Sequence, residues 1–261
     1  MKKIIVAAVV IALLVAGGFY YWAVWEEREP VLSEEEKKQL EEILNATSTA
    51  SAEEIKPIIK EINYLPYQGQ NIAEAGNSPI MSQFPADKVK QYKDELARLK
   101  SVLEKDPTDV EAWMKVGLLK KVFGNYVGAR DAWEYAVNEF ASNDATVLAN
   151  LADLFGFYLG DKEKAEAYFE RSIEADKNQT NVYINAADFY RNVYTEKEGE
   201  AEKTILQGLN NLPNDESLLI YLASYYRDKG DKKQAIEYYE KVLVVDPGNE
   251  AVKEEVVRLK K

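Results

Sequence analysis

The alanines Ala129, Ala165, Ala201 and Ala235 recur at intervals of 36, 36 and 34 residues, and each is followed four residues later by a bulky apolar side chain: Trp133, Phe169, Ile205 or Tyr239. A second register runs ahead of the first. Gly117, Ala152, Ala187 and Ala223 each stand four residues after Trp113, Leu148, Tyr183 or Leu219. Residues four apart share a helix face, so each small-large couple marks a helix, and two couples per period mark a helix pair. A period in the mid-thirties is the sign of a helical repeat array. The small residues let paired helices approach closely, and the large ones fill the gaps beside them.

Composition narrows what such an array can do. The 261 residues, 46% of them hydrophobic, supply one body of ordinary size plus a short extra element, and leave no room for a second large catalytic domain. The formal charge is −12, and the first 25 residues carry Lys2 and Lys3 but no acid, so the remainder is more acidic still. An acidic surface repels phosphate backbones, which argues against a nucleic-acid partner. Histidine and cysteine are absent, which removes a histidine base, a histidine-bound metal, a thiolate nucleophile and a disulfide framework. The glycines sit in turns between helices and form no phosphate loop. Acid pairs such as Glu53-Glu54 and Glu254-Glu255 read as helix surface, and the triplets beginning at Asn45 and Asn178 match the glycosylation sequon too loosely to carry weight. The chain is therefore expected to be no enzyme and to need no cofactor or metal.

Residues 4–25 form an uncharged stretch long enough, at about 1.5 Å per residue, to cross a hydrocarbon core of about 30 Å as a helix. Lys2 and Lys3 precede it, while Phe19, Tyr20, Tyr21, Trp22 and Trp25 crowd its far end, where aromatic rings favour the headgroup region. The expectation is a single-pass anchor in the cell membrane, N-terminus cytoplasmic and C-terminal domain outside, periplasmic or extracellular. A cleaved signal peptide with Ala16-Gly17-Gly18 at its processing site is the competing reading, against which the aromatic run after Gly18 speaks. Both readings export the remainder.

Residues 26–85 read as juxtamembrane helices and flexible linker. Ser33 and Glu36 form a capping box for an amphipathic helix ending near Asn45, and Ser51 with Glu54 opens a weaker one. From Pro66 to Pro85, the Pro, Gly, Asn and Gln residues show no periodicity, so a loop of about twenty residues is expected there. Residues 86–106, with Val89, Tyr92, Leu96, Leu99 and Leu103 in an apolar stripe, read as an N-terminal capping helix. Four repeats follow over 107–247, and 248–261, with Val252, Val256, Val257 and Leu259, read as a C-terminal capping helix.

The units run Trp113, Val116-Gly117, Ala129, Trp133; then Leu148, Leu151-Ala152, Phe155, Ala165, Phe169; then Tyr183, Ala186-Ala187, Tyr190, Ala201, Ile205, Pro213; then Leu219, Leu222-Ala223, Tyr226, Ala235, Tyr239, Pro247. This pattern resembles the tetratricopeptide repeat family, whose unit follows W-x2-L-G-x2-Y, A-x3-F and P, and the resemblance is to a membrane-anchored member. It implies an all-α, right-handed superhelical solenoid of about four helix hairpins with flanking capping helices, preceded by one transmembrane helix. Three positions depart from the pattern. Lys120 replaces the aromatic residue after the first small one, and Ala141 and Lys177 stand where proline usually closes a unit. The turns of the second and third units are also longer, by one and two residues, so irregularity is expected near Phe157-Tyr158 and Asn192 to Glu196.

In that family the first helix of each pair lines a groove that binds peptides or proteins. Carried onto this register, the groove is lined by Met114 and Leu118, then Asn150, Asp153 and Phe157, then Asn185, Asp188 and Arg191, then Tyr221, Ser224 and Arg227. Asn150 and Asn185 stand one turn before Asp153 and Asp188, so carboxamide and carboxylate alternate along one wall and could hold an extended backbone. A lysine- and arginine-built clamp for a terminal carboxylate is not expected, because Met114, Leu118, Asn181 and Asn185 occupy its positions. The resemblance implies a scaffold or adaptor for partners in the cell envelope. The rival readings are a homo-oligomeric spacer and an accessory subunit of an envelope enzyme or secretion complex.

Overall fold

A computed structural model of the chain describes residues 66–76 and 78–261; the anchor expected at 4–25 and the helices expected before Tyr64 lie outside the described residues. Among the described residues there are ten α-helices and no strand, and no helix is long and apolar enough to cross a membrane. Helix α1 (Ala86–Leu103) precedes four hairpins: α2 (Val110–Val122) with α3 (Tyr126–Glu139), α4 (Ala145–Asp153) with α5 (Lys162–Ala175), α6 (Thr180–Asn192) with α7 (Gly199–Asn211), and α8 (Glu216–Asp228) with α9 (Lys232–Val245). Helix α10 (Glu250–Leu259) closes the series.

Short polar residues start these helices because their side chains satisfy amide protons that the first turn leaves unpaired. Asp109 accepts from the Ala112 amide, Asn125 from Gly128, Asp144 from Thr146 and Val147, Asp161 from Lys164, Asp215 from Leu218, Asp231 from Gln234 and Asn249 from Val252. The hairpin turns at Gly124, Gly160 and Gly230 hold φ near +70 to +80°, which a residue without Cβ adopts freely. The third hairpin has no such glycine and turns instead through a short 3-10 segment, Thr195–Lys197, which absorbs its two extra residues.

Both registers read from the sequence are buried throughout: the four small residues of each set and their large companions lie in the core. The first hairpin fits most tightly. A Cβ at Gly117 would collide with the Trp133 indole, whose Nε1 donates to the Met114 carbonyl at 3.2 Å. Alanine suffices at 152, 187 and 223 because Phe169, Ile205 and Tyr239 occupy the place of that indole. The missing prolines have a local reason at one position. The Tyr183 hydroxyl donates to the Lys177 carbonyl at 3.0 Å, as the Trp113 indole does to the Pro107 carbonyl at 2.8 Å, so the bond needs only a free carbonyl.

The extra residue of the second unit is taken up inside the helix. Leu154–Leu159 winds as a π-helix continuing α4, and the Asp161 amide closes it onto the Phe155 carbonyl at 3.0 Å. A wide turn shifts every later side chain around the helix. Phe157 and Tyr158 are thereby left exposed, while Gly156 lets the turn press on the Phe189 ring.

Within the stretch expected as flexible linker, residues 67–76 and 78–85 lie as a strap against the first hairpin. Tyr67 packs its ring 4.8 Å from Trp113 and 5.3 Å from Tyr135. The Gln70 amide donates to Asp131 at 3.2 Å, and Asn125 Nδ2 donates to the Gln70 side-chain oxygen at 2.9 Å. Lys120, the departure from the repeat pattern, is fully buried and donates from Nζ to the carbonyls of Asn71 at 2.9 Å and Glu74 at 2.7 Å. A buried ammonium is costly unless hydrogen-bonded, and these carbonyls supply the acceptors. Ala75 is buried, and a 3-10 turn, Pro79–Gln83, leads into α1, whose Leu96, Leu99 and Leu103 join Trp113, Val116 and Phe123 in one core. At the other end Val252 and Val256 of α10 cover Leu219, Ala223 and Val242, whereas Val257, expected in that apolar face, points outward.

Candidate partner-binding groove

The register places the candidate side chains on the first helices of the four hairpins, and their surroundings differ sharply from one end to the other. On α2, Met114 is half-buried and Leu118 exposed; one turn further, Val122 is also exposed, at 41%. Phe157, 39% exposed, lies in the π-helix of the second unit, five residues after Ala152 as Val122 is five after Gly117, and its ring meets Phe189 edge-on at 6.3 Å. This end of the face is therefore apolar.

The carboxylates expected to meet a ligand backbone are already engaged. Asp153 pairs with Lys121 of the preceding hairpin, and that ammonium lies 4.6 Å from the centre of the Tyr158 ring. Asp188 accepts the Tyr221 hydroxyl at 2.7 Å. The bond and burial together push the Tyr221 phenol well above its ordinary pKa, burial contributing more. Arg191 reaches Asp228 at 3.2 Å and stacks over Tyr221 and Tyr225. Arg227 bonds Asp228 at 2.8 Å and approaches Glu255 of α10 at 3.5 Å. The hydrogen bond from Arg227 holds the Asp228 carboxyl below the usual range, with Arg191 adding to it.

Except for Arg227–Asp228, which joins neighbours on α8, these pairs run from one element to another, so the polar side chains lace adjacent parts of the array together. Along the expected wall of carboxamide and carboxylate, Asp153 and Asp188 are bonded across hairpins, and Asn150 donates to the Thr146 carbonyl of its own helix at 2.9 Å. Ser224 shares a bond of 3.1 Å with the Tyr239 hydroxyl, and Asn185 remains on the exposed surface. Val122 was missed by the sequence reading, although its spacing of four from Leu118 and eight from Met114 marks the same face. Among the described residues, no group of three or more acidic side chains is arranged to hold a metal.

Sequence profiles described as tetratricopeptide repeat match residues 145–179 and 217–249, which cover α4 with α5 and α8 with α9. Those two hairpins are tetratricopeptide repeats. The same small-large register also runs through the first and third hairpins, whose small and large positions are buried in the same way. Among solved structures, the chain is similar to MamA, with 21% identity, a TM-score of 0.49, and 62% of this chain and 94% of that one covered. It is also similar to YrrB, described as a TPR protein with an unusual peptide-binding site, with 20% identity, a TM-score of 0.47, and 77% and 95% covered. Comparison with curated proteins finds no matching relative.

Proposed function

We propose that the protein is a non-catalytic, membrane-tethered scaffold whose groove docks an apolar segment of a partner protein in the cell envelope. The observation that carries this reading is the contrast along the face. Leu118, Val122 and Phe157 are exposed, while Asp153, Asp188, Arg191 and Arg227 are paired within the array. Apolar side chains left uncovered on a repeat face gain by burial against a ligand, at about 25 cal/mol per Å² removed from water. The charged lacing holds that face in shape. Tethering through residues 4–25 rests on their uncharged length and the flanking lysines and aromatic rings, and it places the array outside the cytoplasm.

Affinity capture of the full chain from its own membranes tests the reading. Leu118→Glu with Phe157→Glu is expected to lose a partner that Asn150→Arg with Asn185→Arg retains, with both variants folded by circular dichroism. Loss in the second variant alone would move the contact to the polar wall, and identical partners in all three chains would sink the groove reading.

A further inference from the structure

The strap bonds that fix residues 67–76 on the first hairpin have the form of a peptide in a receptor. Lys120 holds two backbone carbonyls, Asp131 accepts a backbone amide, Asn125 reads the Gln70 side chain, and Trp113 with Tyr135 cradles an aromatic ring. Gly69 allows the close approach, since a Cβ there would come within 2.6 Å of Asp131 Cβ, and Gly128 leaves room for Gln70 in the same way. The hydrogen-bonded partners lie between 46 and 61 residues apart in the chain, so none of these contacts depends on the local chain path.

We infer that this end face is a second peptide-binding site, separate from the groove, and that its ligand in trans is the strap of a second copy of the chain. The ligand class is a segment with an aromatic residue, a small residue two places on, and a tight turn, Asn71 to Glu74, whose carbonyls face a buried ammonium. Lys120 has this task because, among the described residues, no hairpin precedes the first one to occupy the face. In the third and fourth hairpins the residue at its position is a tyrosine, Tyr190 or Tyr226, which reaches back to Glu166 or Glu202 of the preceding hairpin. A covalently joined strap has an effective concentration on the order of millimolar, so the cis arrangement prevails in dilute solution and exchange between copies grows where chains are crowded.

The test uses the full chain and a fluorescein-labelled peptide of residues 66–76. Gly69→Val expels the resident strap without altering the receptor side chains, and this variant is expected to bind the peptide at least about tenfold more tightly than wild type. Adding Lys120→Met to Gly69→Val is expected to weaken binding by about tenfold again. If Gly69→Val loses its helical signal, Tyr67→Ala takes its place, since it removes only the strap's ring. Absence of peptide binding to the strap-released chain, or binding that Lys120→Met leaves unchanged, would overturn the proposal.

Discussion

The two ends of the array leave the same kind of face uncovered and close it with different chemistry. At the C-terminal end an amphipathic helix lays Val252 and Val256 on Leu219, Ala223 and Val242, a closure by apolar burial with surface ion pairs, Glu255 to Arg227 and Lys260 to Glu240, at its rim. At the N-terminal end α1 covers part of the face, and the strap covers the rest through a buried lysine, two carbonyls and an aromatic cradle. A helix needs periodicity to cover a face; an irregular strap needs a hydrogen-bond donor inside the array that can meet its backbone. Lys120 is that donor.

The largest effect expected from this difference is at the fourth position of the end hairpins. Trp113→Ala removes the ring against which both Tyr67 and Tyr135 pack and is expected to cost about 3–5 kcal/mol in urea unfolding, above the cost of Leu219→Ala in the fourth hairpin. Equal costs would mean that the strap is not anchored on the indole. Gly117→Ala is expected to destabilise by about 1–3 kcal/mol through overpacking on Trp133, with Trp133→Phe restoring much of the loss. A thermal scan in which Trp133→Phe gives no such relief would separate the glycine from the ring.

Lys120→Met leaves the Asn71 and Glu74 carbonyls without their donor and is expected to cost about 1–3 kcal/mol, while Tyr226→Phe, losing one bond to Glu202, costs about 1 kcal/mol. Hydrogen exchange should rise across residues 69–75 in the first variant and stay unchanged there in the second. Lys120 and Tyr226 also respond oppositely to alkali. Burial lowers the Lys120 pKa, so the unfolded chain binds more protons and stability contributed here rises with pH up to the ordinary lysine value of about 10.4. Burial and the Glu202 bond raise the Tyr226 pKa, so its contribution is complete below about pH 10 and is lost as pH climbs through the raised value. Stability curves of Lys120→Met and Tyr226→Phe between pH 8 and about 11 should therefore diverge from wild type in opposite directions. The smallest effect is at Tyr67, whose buried hydroxyl has no hydrogen-bond partner: Tyr67→Phe should be neutral or stabilising by up to about 1 kcal/mol. A clear loss of stability would place an ordered water at that oxygen.

The helices and their pairing were legible because small-large couples four residues apart are local and repeat four times, and because Asp or Asn stands before most first turns. The extra residue near Phe157 was legible as a longer unit, though not as a π-helix, since whether the chain lengthens a turn or widens a helix depends on Gly156 meeting Phe189 in the next hairpin. The strap was not legible: residues 66–85 have no periodicity, and the lysine that holds them stands 49 residues from one carbonyl and 46 from the other. Its one visible trace was Lys120 in a place built for an aromatic ring. The candidate groove was legible as a face, whereas the partners of its carboxylates were not, because Asp153 and Asp188 bond to Lys121 and Tyr221 from other hairpins.

The sequence by itself determined the repeat, its small and large packing positions, the helix starts and the acidic, histidine-free and cysteine-free surface, all of which follow from spacing and composition within a turn or two of helix. Only the tertiary structure decided which polar groups remain open to a ligand and which lysine closes the array, because a buried charge and a surface carboxylate take their character from whatever distant part of the chain folds against them.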